Sequence, residues 1–204
     1  MQQYLEQIQA IIRNYTKAPV PVSALEELLS ISSTQVFSKG DLIIAAGEES
    51  SILYILLRGL VRKFYLDAAG NDITHMFLRE NTFFSTDFIM IHRPSLCCFE
   101  AVEECLTLTI DYNKVQQVMR KEPSLLSVYV GILENTLQEK LLRENALLSM
   151  CATERYLDLK RRIPGIEERV SQIHIASYIG ITPVSLSRIR RTLREENGCL
   201  GESV

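Results

Sequence analysis

The chain has no tryptophan, and only six prolines and nine glycines among its 204 residues. So little Pro and Gly beside an apolar fraction of 47% excludes a disordered, low-complexity or collagen-like polymer and allows a buried core. No stretch approaches the ~18 uncharged apolar residues of a membrane helix. The start, Met1-Gln2-Gln3-Tyr4-Leu5, lacks the basic and apolar regions of a secretion signal, so a cytosolic home and no membrane contact are expected. The five cysteines (Cys97, Cys98, Cys105, Cys151 and Cys199) are odd in number, irregular in spacing and without a CxxC pair. They indicate neither a zinc site nor a disulfide framework and read as reduced, mostly buried thiols. No GxGxxG, P-loop, GxSxG or HExxH motif occurs, so an enzyme finds no support, and neither a metal nor a cofactor is expected. The adjacent carboxylates Glu103 and Glu104 read as structural, in a strand–turn.

The net charge of −3 is unevenly spread. Residues 1–150 hold 13 basic and 18 acidic side chains, whereas 151–204 hold nine basic and seven acidic. Within the tail, 169–194 carries Arg169, Arg188, Arg190, Arg191 and Arg194 with no acid. A basic patch on an acidic chain is a local electrostatic footprint of the kind nucleic acid attracts. A solvated helix face is the plainer reading of the same charges.

Residues 1–30 read as two short helices parted by Pro19 and Pro21. From Thr34 to Ile110 short apolar or alternating runs recur at Leu42–Ala45, Ile52–Leu57, Leu60–Leu66, Ile73–Leu78 and Leu106–Ile110. Gly40, Gly47, Gly59 and Ala69-Gly70-Asn71 punctuate them, the pattern of an antiparallel sandwich or barrel. Tyr112–Lys121 has helical period. Pro123 opens a longer helical segment to about Met150, on which Leu126, Val130, Leu133, Leu137 and Leu141 share one stripe. A stripe of that length on a helix ~40 Å long predicts pairing with a second copy. Thr153 is the expected N-cap of a helix through Arg162, ended by Pro164-Gly165.

Residues 172–191, QIHIASYIGITPVSLSRIRR, predict a helix-turn-helix. Ala176 is small where two helices must approach closely. Gly180 can take the positive φ of the turn. Thr182 offers an N-cap oxygen, and Pro183 suits the first helical position. Leu186, Ile189 and Leu193 share a face that would pack on Ile175 and Ile179. The opposite face carries Ser185, Arg188, Arg191 and Thr192. The second helix of such a motif enters the major groove. Arg188 is expected to read a guanine, Pro183 and Val184 to make apolar contact, and Thr182, Ser185, Ser187 and Arg191 to hold phosphates or flanking bases.

Three segments, KGDLIIAAGEESSILYILLRGLVRKF at 39–64, the long helix at 123–150, and ATERYLDLKRRIPG before RVSQIHIASYIGITPVSLSRIRR, make the chain similar to the Crp–Fnr family of bacterial transcription regulators, over nearly its whole length. The style of the last segment resembles members from Bacteroidetes. The resemblance implies an α+β fold: an N-terminal antiparallel β-roll of the cyclic-nucleotide-binding type with flanking helices, a dimerisation helix and a winged helix-turn-helix. The expected division is a sensor domain at 1–122, a dimerisation helix and hinge at 123–150, and a DNA-binding domain at 151–204. The expected partners are double-stranded DNA at a pseudo-palindromic operator, a second copy of the chain and, by the resemblance, RNA polymerase. A small-molecule effector is left open. The alternative is a small-molecule sensor that acts through a protein partner, its helix-turn-helix vestigial.

Two departures from the family stand out. Its nucleotide-binding members carry a Gly-Glu pair for the ribose and an Arg-Ser pair for the cyclic phosphate. On ENTFFSTDFIMIHRPSLCCFEAVEE these positions become Phe84-Ser85 and Ser95-Leu96, with Arg93 nearby but off register. An Arg–phosphate contact contributes on the order of 2–3 kcal/mol, so a degenerate or repurposed pocket that does not answer to cyclic AMP is expected. Few residues follow Arg194, which points to a truncated wing. The family's metal sensors find little here. The first cysteine is Cys97, far from the N-terminus, and His75 and His92 read as structural or surface histidines rather than haem ligands. Cys97 and Cys98 have no evident basic neighbour except Arg93 to activate them toward oxidants.

Overall fold

A computed structural model describes residues 4–201, with side chains to residue 196. Cys199, among the cysteines named above, lies outside the described side chains.

Two helices, α1 (Leu5–Arg13) and α2 (Val22–Ser30), lead into eight strands. These are β1 (Ser33–Phe37), β2 (Leu42–Ile44), β3 (Ile52–Arg58), β4 (Val61–Leu66), β5 (Asp72–Leu78), β6 (Thr82–Ser85), β7 (Cys98–Ala101) and β8 (Cys105–Asp111), with the short α3 (Phe88–Ile91) between β6 and β7. They form two four-stranded sheets, β1-β8-β3-β6 and β2-β7-β4-β5, antiparallel at every pairing. The strand β3 reads ILYILLR without alternation because both of its faces are covered. Ile55 and Leu57 pack under the flanking helices with Ile11 and Leu25. Tyr54 and Leu56 point into the roll with Phe84 and Phe99. Such two-sided burial removes the polar half of the usual pattern. Three strands, β1, β6 and β7, escape the sequence reading. Four of the five residues of β1 are exposed, and β6 and β7 have four residues each.

The helix α4 (Tyr112–Lys121) leads to α5 (Ser124–Ser149), 26 residues and so about 39 Å long. The long helix has two faces. Leu125, Val128 and Gly131 are buried against its own domain. A Cβ on Gly131 would stand 1.9 Å from the Tyr15 carbonyl oxygen, so only glycine lets the helix approach this closely. The other face is bare: Leu126, Val130, Leu137 and Leu141 are 52%, 44%, 58% and 56% exposed, and Leu133 is half-buried.

The remaining helices are α6 (Ala152–Arg162), α7 (Ile166–Arg169), α8 (Gln172–Ile179) and α9 (Pro183–Gly201). The N-cap of α6 is Cys151, not Thr153 as expected. Glu154 stands three residues after Cys151 and accepts its backbone N–H at 2.7 Å, which starts the helix earlier. The helix α9 continues through Gly201, where a wing would begin, and among the described residues no strand follows α8.

Candidate nucleic-acid interface and effector cavity

The turn between α8 and α9 is built by local chemistry. Gly180 takes φ +74°. The Ile181 N–H then turns back to the Ala176 carbonyl at 3.0 Å, which closes the end of α8. The Thr182 hydroxyl accepts the Ser185 N–H at 3.2 Å, and Pro183 begins α9. Ala176 is fully buried, and Ile175, Ile179 and Leu186 are nearly so; Ile189 and Leu193 pack half-buried against them. With that seam turned inward, Thr182, Pro183, Val184, Ser187, Arg188 and Arg191 are all exposed. Ser185 is half-buried, its hydroxyl 3.0 Å from that of Thr182.

The basic patch is smaller than its sequence suggests. Arg169 donates to Glu103 at 2.5 and 3.0 Å and to Glu80 at 2.9 Å, tying α7 to the β-roll. Arg190 pairs with Glu167 at 2.9 Å. Two of the five arginines are therefore neutralised by acids that lie outside 169–194. Arg188 has no ion-pair partner among the described residues. Arg191 pairs only with Glu195, its neighbour one turn on, at 2.8 Å.

The first helix of the motif is docked on the edge strand β5. The Ser177 hydroxyl accepts the Thr74 N–H at 2.9 Å. Below, the buried Arg62 is held by Asp72 at 2.8 Å, Glu100 at 2.6 Å and Thr74 at 3.2 Å. Its guanidinium holds the Asp72 carboxyl below the usual carboxylate range. Leu60, Phe77 and Val102 of the roll share one core with Tyr156, Leu159, Ile175 and Ile179. The C-terminal end of α8 is gripped from two sides. Arg155 donates to the Ile179 carbonyl at 2.8 Å, and Arg143 of α5 donates to the Tyr178 carbonyl.

A cavity of about 700 Å³ opens between the roll, α5 and α8. Of the five expected pocket residues, Phe84 and Ser85 line it and the other three do not. Ser95 is buried, donating to the Cys97 carbonyl at 2.9 Å. Leu96 is exposed with its N–H on Asp87, and Arg93 is exposed. The loop after α3 thus leaves these three out of the cavity: Asp87 accepts the Leu96 N–H, and the backbone of Ser95 is paired with Gly47 and Glu48 at 2.8 and 2.9 Å. Other polar groups lie there instead: His75, which the sequence reads as structural or surface, and Lys63, Lys140 and Arg143, which it passes over. Burial pushes the His75 imidazole down to about 4, with Lys63, Arg143 and Lys140 adding to the effect. The basic neighbour of Cys97 is Lys63 rather than Arg93. Burial nonetheless pushes the Cys97 thiol up, and Lys63 offsets only part of this. His92 caps the end of α3 in an exposed position at φ +52°. Among the described residues no three His, Cys, Asp or Glu side chains are grouped to hold a metal, and no helix is long and apolar enough to cross a membrane.

Residues 34–122 match the family described as the cyclic nucleotide-binding domain. The global nitrogen regulator of Synechocystis sp. is 27% identical over 183 residues, which are 80% of this chain and 78% of that protein. Among solved structures, the c-di-GMP responsive global regulator CLP of Xanthomonas campestris matches with a TM-score of 0.71 at 15% identity, over 87% of this chain and 93% of that one. FixK2 from Bradyrhizobium japonicum matches with a TM-score of 0.70 at 18% identity, over 82% of this chain and 86% of the other.

Proposed function

We propose that this chain, which carries a cyclic nucleotide-binding domain and has the fold of Crp–Fnr-family transcription regulators, is a dimeric, sequence-specific DNA-binding regulator that reads its operator with α9. The observation that carries the reading is the two-sided character of α9. Its apolar seam is closed against α8, while Thr182, Pro183, Val184, Ser187, Arg188 and Arg191 are left open on the outer side. Arg188, one turn into the helix and unpaired among the described residues, is suited to a bidentate contact with guanine O6 and N7. Val184 and Pro183 can meet a thymine methyl. Thr182, Ser185, Ser187 and Arg191 position the helix on phosphates.

The reading divides the chain into a sensor domain at 1–122, a dimerising segment at 123–150 and a DNA-binding domain at 151–204. The bare stripe of α5 supports dimerisation, since a row of four leucine and valine side chains is left about half exposed among the described residues of one copy. A symmetric dimer predicts half-sites about one helical turn apart. Sedimentation is expected at about twice the 23.3 kDa chain mass, and Leu137→Glu is expected to shift it to the monomer by putting an unpaired charge into the seam. RNA polymerase is the protein partner that the resemblance to the Crp–Fnr family suggests for this function.

The effector is not cyclic AMP in this reading. Ser85 is the one polar member of the four cassette positions that lines the cavity, and it carries no charge. Calorimetric titration with cyclic AMP is expected to give no micromolar binding. The function itself is tested by electrophoretic shift of genomic DNA fragments at two salt concentrations. A specific shift that weakens with salt supports the reading, and the absence of any shift at low salt contradicts it.

A further inference from the structure

The short helix α7 is tied to the β-roll on one side and to α9 on the other. Arg169 at its end is held by Glu80 and Glu103 of the roll, at 2.9 and 2.5 Å. Ile166 at its start is buried in the core that also holds Leu186. Between them stands Glu167, whose carboxylate accepts from three side chains: the Tyr156 hydroxyl at 2.5 Å, the Lys160 ammonium at 2.9 Å and Arg190 Nε at 2.9 Å. Burial pushes the Glu167 carboxyl up, and the contacts with Tyr156, Lys160 and Arg190 outweigh it, so the group stays below the usual carboxylate range. The Glu167 and Arg190 side chains are 23% and 20% exposed. This pair is far more sheltered than the Arg191–Glu195 pair on the outer side.

The seam between α8 and α9 is closed tightly at one point only. Leu186 is fully buried, whereas Ile189 and Leu193 are half-buried. Apolar contact is non-directional, so such a seam fixes the position of α9 better than its rotation about its own axis. A charge-assisted hydrogen bond has direction, and Arg190 supplies one from the flank of the helix, next to Ile189. Helical spacing sets Arg190 roughly 200° around the axis from Arg188. Rotating Arg190 toward DNA therefore carries Arg188 away from it.

We propose that Glu167 is the positioning residue of the DNA-reading helix: it holds Arg190 to α7, which fixes the rotation of α9 with Arg188 outward and keeps Arg190 off the phosphates. The proposal rests on the reading of the chain as a DNA-binding regulator and adds a specificity-determining residue outside the helix-turn-helix. Without the pair, Arg190 is a free cation on the reading helix. It then adds affinity for any duplex while the preference for one sequence falls.

The test compares the full-length wild type, Glu167→Gln, Arg190→Met and the double variant on two probes. One is the duplex that the wild type selects from a randomised library, the other poly(dI-dC). Glutamine can still accept the Tyr156 hydroxyl, so the buried phenol keeps its partner. Glu167→Gln is expected to bind poly(dI-dC) more tightly, with a salt slope steeper by about one. Its ratio of operator to poly(dI-dC) affinity is expected to fall about tenfold, the size of one weakened base contact. A loss of stability alone does not steepen a salt slope. Arg190→Met is expected to lose operator affinity and to keep the wild-type slope on poly(dI-dC), because Arg190 holds no phosphate in the wild type. The double variant is expected to return to the wild-type slope. The proposal is overturned if a folded Glu167→Gln keeps the wild-type slope or ratio, or if the double variant keeps the steeper slope, which would assign it to Lys160. It is equally overturned if Arg190→Met keeps its operator affinity or loses about one from its slope, and this variant decides alone if Glu167→Gln does not fold. A wild type that selects no sequence contradicts the regulator reading itself, and the role of Glu167 falls with it.

Discussion

The two helices of the turn motif lie side by side and have opposite surroundings. The first, α8, is held from His174 onward, with only Gln172 and Ile173 at its start exposed. Ile175, Ala176 and Ile179 are buried, Ser177 is bonded to the edge of β5, and its last carbonyls are taken by Arg143 and Arg155. The second, α9, touches the rest of the protein along one seam and through the Arg190–Glu167 pair, and its outer residues Thr182, Pro183, Val184, Ser187, Arg188 and Arg191 are open. The difference separates placement from recognition. Changes in α8 should act on folding and on the attitude of the motif, and changes on the outer side of α9 should act on DNA alone.

The seam itself is where the two roles join, and the largest effect is expected there. Leu186→Ala removes the one fully buried side chain among the described residues of α9 and is expected to destabilise the C-terminal unit by ~2–5 kcal/mol. Thermal denaturation measures this, and DNA binding should be lost in parallel. An unchanged melting temperature would mean that α9 is not seated on α8. Ser177→Ala comes next. It leaves the Thr74 N–H without its acceptor and is expected to cost ~1–3 kcal/mol. Hydrogen exchange at Thr74 should quicken while exchange on the far strand β1 does not. Smallest is Arg191→Ala. Its pair with Glu195 is 82% and 62% exposed, so stability should move by less than ~0.5 kcal/mol. Its expected signature is a salt slope of DNA binding lower by roughly one for each phosphate the arginine neutralises, alike for all sequences.

What the sequence makes legible follows the same division. The turn can be read residue by residue because each of its devices is local: Gly180 for the positive φ, Thr182 for the cap, Pro183 for the first position and Ala176 for the close approach. The long strands β3, β4, β5 and β8 and the helix α5 are legible from their apolar runs. The rest depends on partners far along the chain. Nothing near Arg169 announces Glu80 and Glu103, so its sequence neighbours group a structural arginine with the DNA-facing ones. Gly131 gives no hint of Tyr15, which lies more than a hundred residues away. Alignment points to Arg93, Ser95 and Leu96 for the cavity. Polar groups of its wall come instead from β4, β5 and α5 (Lys63, His75, Lys140 and Arg143), which a linear register cannot bring together. The cap of α6 is misread at Thr153 because threonine is the better N-cap residue in isolation, whereas Glu154 selects Cys151.

The central claim is that the outer side of α9 reads bases and that Arg188 does most of the reading. The direct test is binding of the wild-type chain and of Arg188→Ala to a randomised operator library at two salt concentrations. The wild type is expected to select a pseudo-palindrome with a fixed guanine in each half-site. Arg188→Ala is expected to keep its melting temperature, to lose ~1–3 kcal/mol per half-site and to flatten the preference at that one position. An Arg188→Ala protein that selects the same sequences as the wild type would contradict the account and the orientation of α9 on which it rests.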